Sequence, residues 1–253
     1  MCVAYASIGV TISLLSSMAG IGGGVFMVPL FYFLGLGMSN AVGTSKFVIT
    51  FISFVSMVNY LRSGRVDYRV GLAALAAMLP SSYVGAYLSG SLDSSILKFI
   101  VGSFIMIYSL RLLSMYVRRR VRKEGEESDH VVDPSLNTLL KCAFVGFIAG
   151  FIAGITGTAG GSVNMPLYTM VLGMPIHNAV ATSFFTIFPT SVMATTQHVL
   201  RSEVVYDIAI PFATGSLVGA SIGSRLATKM RPQALRLIIG CVLLVTSVKM
   251  LLP

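Results

Sequence analysis

A chain of 253 residues with 55% hydrophobic and only 11% charged side chains lies outside the soluble globular range, where about a quarter of residues are charged. Its mean hydropathy of +0.85 and the long apolar runs from end to end exclude a soluble domain, and a β-barrel would show short alternating segments instead. The formal net charge of +9 would speak for nucleic acid in a soluble protein. Here the basic residues stand between apolar runs, where they serve topology and contact with anionic lipid, so no nucleic-acid partner is expected.

The pattern predicts an all-α polytopic membrane protein with ten apolar segments. Those of the first half are 2–19, 24–38, 41–61, 69–90 and 96–117; those of the second are 138–156, 162–175, 178–200, 205–227 and 233–252. No Lys or Arg precedes the apolar stretch in the first twenty residues, so 2–19 reads as a retained membrane segment, not a cleaved signal peptide. The second segment of each half is short, about 18–22 Å as helix against a hydrocarbon core of ~30 Å, and contains a proline, Pro29 or Pro166. Each is a candidate re-entrant element. The one hydrophilic stretch, 118–137, starts with the basic run Arg118–Lys123 and turns acidic from Glu124 to Asp129. The expected organisation is a first transmembrane repeat over 1–117, a charged cytoplasmic linker over 118–137 and a second repeat over 138–253.

The halves say one thing twice. Gly20-Ile-Gly-Gly-Gly24 leading to Pro29, then Asn40-Ala-Val-Gly-Thr44-Ser45, is answered by Gly157-Thr-Ala-Gly160-Gly161-Ser162 leading to Pro166, then Asn178-Ala-Val-Ala-Thr182-Ser183. Leu61-Arg62-Ser63 matches Leu200-Arg201-Ser202, Gly85-Ala86 matches Gly219-Ala220, and Leu97-Lys98 matches Leu235-Arg236, in order. Duplication of a whole half explains this. Charge then orients the copies: the five Lys/Arg of 118–123 place the linker in the cytoplasm. Arg62, Arg65 and Arg69 cluster after the third segment of half one. In half two, Arg225, Lys229, Arg231 and Arg236 cluster after the fourth. That flip requires inverted-topology repeats with both termini outside. Five crossings per half satisfy it, as do three crossings and a re-entrant hairpin.

Short, Gly/Pro-interrupted segments at matching places in two halves point to a transporter binding site. Gly22, Gly23 and Gly24, with Gly160, Gly161 and Ser162, interrupt a helix and let a ligand approach the backbone. The restarting helix offers unpaired N–H groups and a positive dipole end to an anion. The same glycines would also serve close helix packing. Asn40, Thr44 and Ser45, with Asn164, Asn178, Thr182 and Ser183, supply the neutral donors an anion site needs. Helix capping and back-bonding to carbonyls are their local alternatives. Lys46, whose counterpart is Phe184, is a candidate for substrate attraction. His198 is a candidate proton relay, or a structural histidine near an interface. No acidic residue lies well inside a span, so carboxylate-based proton coupling and a membrane aspartyl protease both lack support. No catalytic constellation or Walker A pattern occurs, and no cofactor is expected. Cys2, Cys142 and Cys241 are isolated, which points to neither a disulfide framework nor a metal site.

At these motifs the chain resembles the TauE/SafE family of membrane transporters, often called sulfite exporters, over nearly its whole length. The resemblance implies a multi-pass carrier of the prokaryotic inner membrane, linked to export of sulfite or organosulfonates. In the second copy Thr158-Ala159 replaces the apolar-Gly step of the first. The expected function is secondary transport of a small sulfur-containing anion through a midplane site shared by the two repeats. A carrier for carboxylates and a non-transporting assembly module are the other readings, and assembly into a homo-oligomer is left open.

Overall fold

The computed structural model describes residues 2–88, 136–156 and 161–251, with scattered positions between 99 and 114. Among the described residues there are nine helices with described bounds and no strand. They are α1 (Cys2–Ala19), α2 (Gly24–Phe33), α3 (Met38–Arg62), α4 (Tyr68–Leu88), α5 (Leu136–Thr156), α6 (Gly161–Met170), α7 (Ile176–Leu200), α8 (Tyr206–Lys229) and α9 (Pro232–Leu251). Their bounds track nine of the ten apolar segments. Most of the fifth segment, 96–117, lies outside the described residues, as does nearly all of the linker. Of these helices α1, α3 and α7 are long and apolar enough to cross a bilayer on length and composition.

Packing follows the duplication. α1 lies against α8, and α5 lies against α4. Both seams are made by glycines that let backbones touch, the usual device where lipid removes any hydrophobic drive between helices. Gly215, Gly219 and Gly223 of α8 face the carbonyls of Ala6, Val10 and Leu14 so closely that a Cβ would collide with them. Gly146 and Gly150 of α5 face the carbonyls of Ala74 and Met78 in the same way. The contacts are reciprocal. Gly9 meets Phe212 where its equivalent Gly146 meets Ala74, and Gly219 faces Ser13 where Gly150 faces Ser81. Each pair is the other moved on by 137 or 138 residues with the roles exchanged.

The order of these contacts fixes helix direction. Residue numbers rise together along α1 and α8 and along α4 and α5, so each pair is parallel. α3 and α8 are parallel too, since Thr44 meets Val205 and Asn59 meets Ser224. α3 and α7 are antiparallel: Thr50 meets Thr195, Phe54 meets Phe188 and Tyr60 meets Phe184. Equivalent helices of the two halves therefore point in opposite directions. One consequence is that the ends bearing Arg62, Arg65, Arg69, Lys141, Arg225, Lys229 and Arg231 share one face of the bundle. The opposite face carries Arg201 with Glu203 and Asp207.

α1 and α2 fold back on one another. Gly23 packs on Ser16, while Phe31 returns to Phe212 (ring centroids 5.0 Å apart), which Gly9 also touches. At 10 residues, α2 covers only about 15 Å. α5 starts at the arginine-rich face, and α6 ends five residues before α7 starts there. The core between these elements is apolar and continuous, with Ile21, Met27, Phe31, Ile49, Ile52, Met165 and Phe184 fully buried.

Candidate functional site

Three features converge on α7. The first is the break between α1 and α2. Gly20, Gly22 and Gly23 have φ of 73°, 72° and 92°, a left-handed backbone that only glycine adopts without strain. Gly20 through Gly24 are all buried. The Gly20 carbonyl is taken up by α7, accepting a hydrogen bond from Ser183 Oγ at 2.9 Å. Gly160 lies outside the described residues. Gly161 starts α6, and Ser162 follows it within the helix.

The second feature is a pair of threonines that tie the halves together. Thr44 Oγ1 accepts from the Val205 N–H at 3.0 Å, and Thr182 Oγ1 accepts from the Asp67 N–H at 3.0 Å. Thr182 is Thr44 moved on by 138 residues, and Val205 is likewise the equivalent of position 67. Each hydroxyl therefore satisfies an amide in the other half's third-to-fourth helix turn. Next to them Ser45 and Ser183 diverge. Ser183 is bonded to Gly20, while Ser45 Oγ is buried with no hydrogen-bond partner. Asn40 and Asn178 occupy the third position of α3 and α7, half-buried. The caps are Gly37 and Pro175, so the asparagines are not N-caps.

The third feature is polar chemistry running up α7. Thr186 Oγ1 donates to the Ser183 carbonyl at 2.9 Å and accepts from Asn164 Nδ2 of α6 at 3.0 Å. Tyr168 Oη lies 3.4 Å from the same hydroxyl. Asn164 is fully buried and its Oδ1 has no partner. One turn on, Thr190 lines a cleft with Lys46, Gln197 and His198, together with Ser82 of α4 and Gly154 of α5. Lys46 is 4% exposed, and its Nζ reaches the Ala153 carbonyl at 3.4 Å. His198 Nδ1 pairs with Glu203 in the following turn. Partial burial pulls the Glu203 carboxyl up, but hydrogen bonds with Ser39 and His198 outweigh it and hold the group below its ordinary 4.5.

The predicted residues thus come together as two levels of one face, not as a single cluster. Thr182, Ser183 and the Gly20 break lie about seven residues, or roughly 10 Å, from the arginine-rich end of α7. Thr44, Ser45 and Lys46 lie as far from the opposite end of α3. Sequence reading missed Thr186, Thr190 and Tyr168. The available signal was the polar spacing 183, 186, 190, 197 on a helix otherwise read as apolar. The arrangement gathers hydroxyl, amide and ammonium groups on one helix pair. No group of three His, Cys, Asp or Glu among the described residues could hold a metal ion.

A protein-family comparison matches residues 5–250 to the sulfite exporter TauE/SafE family. The chain belongs to this family. It is 28% identical over 260 residues to the probable membrane transporter protein YunE of Bacillus subtilis, covering 96% of this chain and 95% of that one. It is 26% identical to a probable membrane transporter protein of Methanocaldococcus jannaschii, over 97% and 93% of the two chains. A sulfite exporter TauE/SafE family protein of Arabidopsis thaliana is 31% identical over 115 residues, which cover 44% of this chain and 24% of that one. No solved structure matches. This TauE/SafE chain is thus a helical membrane protein whose relatives are named as transporters, not as enzymes.

Proposed function

We propose that the protein is a secondary carrier of the prokaryotic inner membrane that exports a small sulfur-containing oxyanion or organosulfonate. The observation that carries this reading is Lys46. It is a cation buried within α3 beside a hydroxyl-lined face of α7, in a bundle whose described residues bury no carboxylate. A buried ionisable residue in a membrane segment is functional by default, and a cation among neutral donors selects negative charge. The glycine break places the first N–H groups of α2 in the bundle interior, where a helix N-terminus favours an anion. The opposed directions of equivalent helices support an inverted repeat, the architecture in which such breaks form transport sites.

Substrate binding is assigned to Gly22, Gly23, Gly24, Lys46, Asn164, Thr182 and Ser183, with Ser45 as an unengaged donor. Asn40, Thr44, Asn178, Gly160, Gly161 and Ser162 belong to the same motifs, and His198 stands beside the cleft as the candidate relay. A monovalent anion leaving a cell that is negative inside gains about 2.3 kcal/mol per 100 mV, so export needs no coupled ion to hold a roughly 50-fold gradient. The test is reconstitution in proteoliposomes loaded in turn with sulfite, thiosulfate, taurine, sulfoacetate and a simple carboxylate. The reading expects saturable, protein-dependent efflux of a sulfur anion, reduced in Gly23→Ala. Efflux confined to the carboxylate would replace the substrate class. Absence of flux for every solute, with partner proteins lost on Gly23→Ala, would replace the carrier with an assembly module.

A further inference from the structure

We infer that the Lys46–Gln197–His198 cleft is the anion's exit station on the face opposite the arginines, and that its symmetry counterpart, closed by Phe184 and Tyr60, is the gate on the cytoplasmic face. The inference rests on the carrier reading and deepens it, giving the Lys46 level of the site a side of the membrane and a closed counterpart. Lys46, Gln197 and His198 line one cleft. Their equivalents 138 residues away are Phe184, Asn59 and Tyr60. Those three sit at the other end of the same helix pair, and there the space is filled. The rings of Phe184 and Tyr60 stack with centroids 5.7 Å apart and an interplanar angle of 14°, and both side chains are at most 1% exposed.

The closed side is also latched. Tyr60 Oη donates to the Ser17 carbonyl at 2.8 Å, and Asn59 Nδ2 donates to Ser224 Oγ at 2.8 Å. Ser17 is the equivalent of Gly154, which lines the open cleft. The equivalent positions line both ends, and the side chains differ: polar groups border a cleft at one end, two stacked rings fill the other. Between the two ends, α7 presents Thr190, Thr186 and Ser183, whereas the matching positions on α3 are Ile52, Val48 and Ser45. At these three positions α7 is polar throughout, and α3 is polar only at Ser45.

The experiment measures access and needs no flux. Cys2, Cys142 and Cys241 are replaced by alanine, and single reporters Gln197→Cys and Asn59→Cys are exposed to an anionic, membrane-impermeant methanethiosulfonate in vesicles of either orientation. The expected result is fast labelling of Gln197→Cys from the face opposite the arginines and little labelling of Asn59→Cys from either face. Adding Phe184→Ala, or Phe184→Leu if the first variant does not fold, opens Asn59→Cys to reagent from the arginine-rich face. Adding Lys46→Gln slows the anionic reagent at Gln197→Cys by roughly tenfold relative to a cationic analogue, the scale of electrostatic focusing in a narrow cleft. Equal labelling of the two reporters in the parent, or an unchanged anion-to-cation ratio in Lys46→Gln, overturns the inference. A protein that labels as expected yet carries no anion in the flux assay would leave this architecture standing and sink the carrier reading instead.

Discussion

The two ends of the α3–α7 pair occupy equivalent positions in the duplicated chain and do opposite things. At one end Lys46, Gln197 and His198 line a polar cleft; at the other Phe184 and Tyr60 stack and are buried. The scaffold around them is shared to the level of single hydrogen bonds, since Thr44 and Thr182 perform the same task for opposite halves. The comparison teaches that duplication supplied the frame and a few side-chain replacements supplied its polarity.

The largest expected effect concerns the frame itself. Gly219→Leu and Gly150→Leu each drive a side chain into the facing helix's backbone and should cost more than about 3 kcal/mol. Both should abolish monodisperse protein on size-exclusion chromatography. Gly37→Ala, where a Cβ meets nothing within 4 Å, should behave as wild type. If one seam tolerates leucine, the two interfaces are not equivalent. Next comes the divergence between the ends. Lys46→Gln should lower sulfur-anion flux by about tenfold or more, the equivalent of at least 1.4 kcal/mol of charge attraction, without changing thermal stability. Phe184→Leu should leave the substrate KM nearly unaltered.

A smaller effect sharpens the symmetry. Thr44→Val and Thr182→Val each strand a backbone amide and should each destabilise by about 1–3 kcal/mol, read as matched falls in melting temperature. A clearly unequal pair would break the reciprocal account. The smallest effect is local to the open end. Because the folded Glu203 carboxyl sits below its ordinary 4.5, its contribution to stability is complete above that value and is lost as pH falls through the folded one. Glu203→Gln should therefore lose less thermal stability than wild type on acidification, and identical pH profiles would remove the His198–Glu203 pair from the account.

Much of this was legible in the chain. Nine segments became helices within a few residues of their apolar limits because hydrophobic length is a local property that lipid enforces. The charge flip between Arg62–Arg69 and Arg225–Arg231 predicted that these residues share one face, and helix directions in the structure group them there. Gly20, Gly22 and Gly23 were legible as a break because the glycine run has a backbone consequence of its own. What escaped depends on tertiary partners. Nothing near Thr44 in sequence announces Val205, and Thr186 reads as an ordinary back-bonding threonine until Asn164 is brought against it. Capping, the local alternative for Asn40 and Asn178, falls because Gly37 and Pro175 take the cap three positions earlier.

The central claim is that an anion crosses by way of the Lys46 cleft, driven by membrane potential. Efflux of sulfite from proteoliposomes under an imposed potential tests it most directly, with wild type and Lys46→Gln measured side by side. The account predicts that an inside-negative potential accelerates wild-type efflux and that Lys46→Gln removes most of the flux at every potential. Efflux that ignores the potential, or that survives in Lys46→Gln, would contradict it.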